Sequence, residues 1–289
     1  MASDSIPDGK YIVPALAQGL AVLALFTRER PTLTAPDIAH ELGLSRTTVF
    51  RLLHTLQTMG YVSRADEERR YKLGVALLGR GFSYLASLDI VEVSQPILEQ
   101  LRDRTGLSAH MAVRDGRDVV YVARYAARTT VASSVNIGTR FPVHATVMGR
   151  MSILDMSDAE LAELYPDEKL PRFSEQTPAT RTILKTMLDE DRVRGYAISQ
   201  SFFERGVSSI AAPVRDGKGA IVASINVTSV DSVIDAEVMN GSIKDAVLNA
   251  ARLINQWMTQ GGPGRPQVWE APALAATRAI PRLGSKAVA

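Results

Sequence analysis

Between Thr34 and Val62 the chain reads TAPDIAHELGLSRTTVFRLLHTLQTMGYV, and its apolar positions fall at helical spacing in two short blocks. Ile38, Ala39 and Leu42 share one face of the first block. Thr34 can cap that helix, and Pro36 is tolerated in its first turn. Gly43 stands where a left-handed residue ends a helix without steric penalty. Leu44 fills the gap, and Ser45 caps a second helix on which Val49, Leu52, Leu53 and Leu56 form a buried stripe. The opposite face carries Thr47, Arg51, His54 and Thr58, with Thr48 and Phe50 beside it. A small residue at Ala39 and a glycine four positions on match the helix-turn-helix, whose second helix enters the major groove. Taken alone, the segment also reads as a plain helical hairpin with a solvated outer face.

The flanks favour the first reading. YIVPALAQGLAVLALFTRER, before the pair, predicts a third helix with Leu16, Leu20, Leu23 and Ala24 as its packing face. GYVSRADEERRYKLG, after it, reads as strand, charged turn, strand, with Tyr61-Val62 and Tyr71 to Leu73 as the strands. Three helices and a hairpin make a winged helix over residues 11–74, whose Arg69 and Arg70 can reach phosphate or a minor groove. The candidate DNA contacts are Thr34, Ser45, Arg46, Thr47, Thr48, Phe50, Arg51, His54, Arg64, Arg69 and Arg70.

Two further helical patterns, Gly74 to Leu88 and Val91 to Thr105, read as linker helices over residues 75–106, or else as more core. The period then changes to two. SAHMAVRDGRDVVYVARYA predicts two strands about an Asp115-Gly116 turn. SIAAPVRDGKGAIVASINVTSV repeats the arrangement about Asp216-Gly217. Helices are predicted between the hairpins, at His144 to Leu154, Ser157 to Tyr165 and Ala179 to Arg194, and a last one from Val233 to Met258. The fold class is therefore α+β, with an antiparallel sheet and helices over residues 107–259. The Gly-, Pro- and Ala-rich stretch 260–289 has no helical period and is expected to be a disordered tail.

Composition narrows the function classes. A length of 289 residues suggests two domains, and 46% hydrophobic residues allow a sizeable core. With no cysteine there are no disulfides or thiolate metal sites. The apolar run Gly19 to Phe26 is too short to span a bilayer, so the chain is read as soluble and cytoplasmic, with no membrane partner. Net charge is only +2, but Arg46, Arg51, Arg64, Arg69, Arg70 and Lys72 make a local basic patch. The four histidines have no metal-binding spacing, and no HExxH, GxSxG, phosphate-binding loop or dinucleotide fingerprint occurs. GRGFSY at Gly79 is only a fragment of a Gly-rich loop within a helical pattern. No catalytic residue, metal or cofactor is expected, and the chain is not read as an enzyme.

The order PALAQGLAVLALF, helix-turn-helix, wing, VNIGTRFPVHATVMGR and FFERGVSSIAAPVRDGKGAIVASINV resembles the IclR family of bacterial transcription regulators over Pro14 to Met258. The resemblance implies a winged helix, a linker helix and a GAF-like effector domain. It implies binding to palindromic double-stranded operator DNA, and assembly as a homodimer or dimer of dimers. GTRFPVHATVMGR and SIAAPVRD…VASINV are most similar to the branch controlling β-ketoadipate and hydroxybenzoate catabolism, which answers to small aromatic or dicarboxylic acids, and so implies a small carboxylate effector, expected to be aromatic. Ser152 and Asp155 depart from that branch, where a leucine- and alanine-rich helix is usual.

The resemblance places the ligand between the sheet and the helix after FPVH, with Thr130, Val147, Met148, Ser199, Val207, Ser209, Asn226 and Thr228 as its lining. Thr146, Val147 and Met148 also fall at a helix N-terminus, where free N–H groups favour a carboxylate. Ordinary strand residues are the other reading of Asn226 and Thr228, and plain core that of Met148. The expected function is a ligand-responsive regulator of aromatic-acid catabolism. A regulator answering to a keto acid or sugar acid, an enzyme with an appended winged helix, and a winged helix used for protein or RNA contacts remain as alternatives.

Overall fold

The computed structural model describes residues 11–65, 69–128, 135–200, 206–229 and 239–260. The expected tail, Thr130 and the start of the FFERG motif lie outside these residues. The chain divides into two compact units between Leu88 and Asp89.

The first unit holds α1 (Pro14–Ala24), β1 (Leu33–Thr34), α2 (Ala35–Leu42), α3 (Arg46–Thr58), β2 (Val62–Arg64), β3 (Arg70–Leu73) and α4 (Ala76–Ala86). Its core is Val22, Phe26, Leu33, Ile38, Val49, Leu53, Val62 and Tyr71. The packing face of α1 differs from the expected one. Gly19 and Val22 are buried, while Leu16, Leu20 and Ala24 are exposed and Leu23 is half-buried. The helix is apolar nearly all round, so period alone could not choose the face. Tertiary packing settles it: Val22 joins the core with Val49 and Leu53 of α3, and Gly19 lies on the same side, near Leu52. The wing also has a third strand that the pattern did not reveal: β1 pairs with β3, so the sheet order is β1-β3-β2. Two residues are too few to show a period.

The second unit holds α5 (Asp89–Thr105), β4 (Ser108–Asp115), β5 (Asp118–Tyr125), β6 (Arg140–Pro142), a single 3-10 turn at Val143–Ala145, α6 (Val147–Ser152), α7 (Asp158–Leu164), α8 (Arg181–Arg194), β7 (Ala197–Gln200), β8 (Ser208–Arg215), β9 (Ile221–Ser229) and α9 (Lys244–Gln260). The sequence pattern groups α5 with the linker, yet the helix buries Ile90, Val93, Ile97, Leu98 and Leu101 in this unit. The strands form one antiparallel sheet in the order β6-β5-β4-β9-β8-β7. The two hairpins join through β4 and β9, with His110 opposite Asn226.

Successive side chains on a strand point to opposite faces, and here each face has its own cover. Met111, Ile210, Ala212, Val214, Ile225 and Val227 are buried on the side of α5 and α9. Ala112, Val119, Tyr121, Ala197 and Ala211 pack with Val147, Met148 and Met151 of α6 on the other. The echo of AVRDG and PVRDG has a structural use. Arg114 donates to the Gly116 carbonyl at 3.2 Å and Arg215 to the Gly219 carbonyl at 2.8 Å. In the second hairpin the left-handed residue is Gly219, not Gly217, because the turn spans Asp216 to Ala220. Asp155 is explained here too. It forms an ion pair with Arg215, which holds its carboxyl below the usual carboxylate range and ties the segment after α6 to the hairpin tip.

α6 is only six residues long and is held by contacts outside itself. A Cβ on Gly149 would lie 2.0 Å from the Val143 carbonyl oxygen, so only glycine allows this approach. Next to it, Arg150 Nε donates to Asp191 of α8 at 2.7 Å, and Nη2 donates to the Ile198 carbonyl of β7 at 3.2 Å. Both side chains are 2% exposed. Burial pulls the guanidinium below its ordinary range and pushes the carboxyl up, and each charge opposes the other's shift. Breaking one side leaves a buried charge alone. Arg150→Met should therefore destabilise the second unit by about 3–5 kcal/mol, and adding Asp191→Leu should restore most of it. Urea denaturation of the two variants checks this; an equal loss in the double variant would show that the pair holds α6 in some other way.

Candidate functional site

The reading face is built from the caps inward. Thr34 caps α2 with a full capping box: its hydroxyl donates to Asp37 Oδ2 at 2.7 Å and accepts the Asp37 N–H at 3.3 Å. The Thr34 backbone N–H, which donates to Oδ2 at 3.0 Å, and then its hydroxyl hold the Asp37 carboxyl below its usual range. Gly43 ends α2 with φ 62°, and Ser45 caps α3 by accepting the Thr48 N–H at 3.1 Å. The Thr48 hydroxyl lies 2.9 Å from that of Ser45. The side-chain oxygens of Thr34, Ser45 and Thr48 are thus engaged in setting the geometry of the helix pair.

The projecting set is Arg46, Thr47, Phe50, Arg51 and His54, all exposed. Residues 47, 50, 51 and 54 fall at i, i+3, i+4 and i+7, on one stripe of α3. Phe50 is 61% exposed, and its ring stacks on His54 with centroids 6.4 Å apart and planes at 11°. A cleft of about 360 Å³ separates this helix from the wing, lined by Phe50, His54, Gln57, Thr58, Arg64 and Tyr71. The Arg64 guanidinium lies over the Tyr71 ring at 5.8 Å. Arg69 has φ 61°, and Arg70 begins β3 with a guanidinium nitrogen 3.5 Å from Thr32 Oγ1.

The second candidate site lies on the sheet face covered by α6. Val147 and Met148 are buried in the apolar cluster there. Thr146 caps α6, and its hydroxyl oxygen already accepts the Gly149 N–H at 3.0 Å. Ser199, Ser209 and Asn226 are buried, and Val207 and Thr228 are half-buried. Register brings Ser199 opposite Ser209, and Ser209 opposite Thr228. Asn226 Nδ2 donates to Ser209 Oγ and to Thr228 Oγ1, both at 2.9 Å. Ser209 Oγ donates to the Val227 carbonyl at 3.1 Å.

One member of this row has no place in the motif reading. His110 Nδ1 lies 3.0 Å from Asn226 Oδ1, and the imidazole and Tyr121 rings pack in a T with centroids 5.4 Å apart. Burial pushes its pKa down to about 4, so the ring is neutral at pH 7. On sequence His110 is a lone histidine in a strand. Only the register with β9, more than a hundred residues on, places it beside Asn226. Among the described residues no group of His, Asp or Glu is arranged to hold a metal, and no helix is long and apolar enough to cross a membrane.

Residues 15–66 match the IclR helix-turn-helix domain, and residues 82–256 match the bacterial transcriptional regulator IclR C-terminal domain. The chain is 34% identical to the HTH-type transcriptional regulator XynR of Escherichia coli K12 over 230 residues, 79% of this chain and 91% of that protein. It is 32% identical to the Pca regulon regulatory protein of Pseudomonas putida over 216 residues, 74% of each. A crystal structure of a transcriptional regulator from Rhodococcus sp. RHA1 superposes with TM-score 0.77 at 32% identity, covering 87% of this chain and 100% of that one. An IclR homologue from Microbacterium hydrocarbonoxydans, complexed with 4-hydroxybenzoate, shares the fold with TM-score 0.74 at 23% identity, covering 86% and 100%. These relatives are named as regulators and not as enzymes. A helix-turn-helix with its wing, followed by an antiparallel sheet domain that matches along nearly its whole length, makes this chain a transcriptional regulator of the IclR family.

Proposed function

We propose that this regulator binds a palindromic operator as a cytoplasmic homodimer, or dimer of dimers, and controls aromatic-acid catabolism in response to a small aromatic carboxylate. The observation that carries the effector half is the row of buried Ser199, Ser209, Asn226 and His110, with half-buried Thr228 beside them, on a sheet face otherwise packed with apolar side chains. A binding site needs a few placed polar groups among apolar walls, and this face offers both. The choice of an aromatic acid draws on the identity to the Pca regulon regulatory protein and the fold shared with the 4-hydroxybenzoate complex. Calorimetry of the full chain against aromatic acids, dicarboxylates, keto acids and sugar acids tests it. Asn226→Ala and Ser209→Ala should lose the ligand's effect on operator affinity, while affinity without ligand stays near wild type and reports that the chain has folded. Binding of a sugar acid alone would overturn the aromatic reading and leave the regulator.

For DNA we assign Arg51 to a guanine, where its planar fork can bond O6 and N7 together. Arg51→Ala should cost about 1–3 kcal/mol at one base step and relax preference there. Arg69→Ala or Arg70→Ala should weaken all sequences alike and lower the salt slope by about one. Selection from random duplexes, followed by gel shifts over a salt series, separates these outcomes. Unchanged preference in Arg51→Ala would remove it from the reading face.

For assembly we assign the α4 face carrying Leu77, Leu78, Phe82 and Leu85, of which Leu78 and Phe82 are exposed. An unpartnered apolar face of this kind suits a two-fold contact, which a palindrome requires. Phe82→Glu should shift the protein toward monomer in analytical ultracentrifugation at micromolar concentration; an unchanged dimer would place the contact elsewhere.

A further inference from the structure

His110 carries a polar atom whose hydrogen-bonding capacity is unspent. Its state follows from the row of bonds beside it. The Ser209 hydroxyl has the Val227 carbonyl and Thr228 Oγ1 as acceptors for its one proton, and toward Asn226 it accepts. The Asn226 amide nitrogen therefore faces Ser209 and Thr228, and its carbonyl oxygen faces His110. The ring must then carry its proton on Nδ1 to meet that oxygen. Nε2 is left as a bare lone pair. It is buried, and no described residue bonds it. Buried polar atoms in native proteins nearly always have partners, so such an atom calls for one from outside the fold.

The surroundings add to this. Ser224 Oγ, on the same face two positions along β9 from His110's partner Asn226, is likewise buried without a partner. Tyr121 presents its ring to His110 on one side and to Phe141 on the other, with centroids 5.6 Å apart in the second pair. An unspent acceptor beside the Tyr121 ring, with a second unspent polar atom on the same face, suits a ring that bears a hydroxyl.

We propose that His110 Nε2 accepts a hydrogen bond from a hydroxyl of the effector, so that this site selects a hydroxylated acid over the same acid without the hydroxyl. The proposal rests on reading the α6-covered face as the effector site. A carboxylate oxygen has no proton to give Nε2, and two lone pairs facing each other repel. The neutral state of the buried ring agrees, since a carboxylate could pair only with the imidazolium. The carboxylate oxygens of the ligand must therefore not face Nε2.

The test uses the full chain and matched probes: 4-hydroxybenzoate, 3-hydroxybenzoate, benzoate and 4-methoxybenzoate, the last having the oxygen without its proton. At least one hydroxybenzoate should bind about tenfold or more tightly than benzoate and the methoxy acid, the loss expected when a buried acceptor goes unpaired. His110→Phe should bring the four affinities together, and His110→Gln, which can still offer a carbonyl oxygen, should recover part of the preference. Nitrogen-15 NMR on wild-type protein gives a reading that needs no variant. The Nε2 signal should start in the unprotonated range and move on adding the hydroxy acid, but not on adding benzoate. Equal affinities for all four acids, a preference that survives in His110→Phe, or an Nε2 signal unmoved by a bound hydroxy acid would each overturn the proposal while leaving the effector site standing. If no acid of any class binds the wild type, the reading of this face as the effector site falls, and the proposal with it.

Discussion

The sheet domain depends on how a six-residue helix is kept flat against it. One and a half turns of helix have little stability of their own, because nucleation consumes most of the hydrogen bonds that such a length can form. α6 is fixed instead by the absence of a side chain at Gly149 and by the ion pair one residue further on. The Arg150 guanidinium bridges α6 to α8 and to the Ile198 carbonyl of β7. Val147, Met148 and Met151 are thereby pressed onto Ala112, Val119, Tyr121, Ala197 and Ala211. A well-packed hydrophobic pair of similar volume serves stability as well. What the charges add is direction: a planar guanidinium accepts its partners only in its own plane, and this sets where the helix lies.

The helix-turn-helix is positioned by different means. Its constraints are local and sit at helix ends: a capping box at Thr34, a left-handed glycine at 43, a serine cap at 45. Gly74 adds a steric one, since a Cβ there would stand 2.1 Å from the Gly60 carbonyl oxygen where the wing leaves the sheet. Caps of this kind contribute about 1 kcal/mol each and are carried by residues adjacent in sequence. A reading face built in this way keeps its shape while its outward side chains vary.

That difference explains what could be read from sequence. The helix-turn-helix was legible residue by residue, because caps, glycine and apolar stripe are all short-range. Both hairpins were legible from alternation and from their Asp-Gly turns. The buried face of α1 was not, since its leucines occupy more than one side and only the packing of Val22 against α3 decides among them. β1 was missed because two residues carry no period, and α5 was grouped with the linker because an amphipathic stripe does not say which unit it meets. In the effector domain Ser209, Asn226 and Thr228 were singled out, but His110 was not. Its significance comes from pairing across the β4–β9 seam, a long-range register that no local pattern encodes.

The same sheet domain buries polar groups in two ways, and the contrast bears on which of them is functional. Arg150 and Asp191 meet each other, and the guanidinium also reaches a backbone carbonyl; their charges are answered within the fold. The row from Val227 through Ser209 and Asn226 to His110 is also answered at every link, but it is directional. Each donor fixes the role of the next group, and the sequence of roles ends on Nε2 as an acceptor with no donor among the described residues. A network kept only for stability gains nothing from such an end, because an unpaired buried acceptor costs about 1–3 kcal/mol. Replacing His110 with a leucine-sized residue would remove that cost and keep the apolar contact with Tyr121. A chain that instead retains the histidine, and spends Asn226 to fix its tautomer, has the arrangement of a site whose last hydrogen bond is supplied by a ligand.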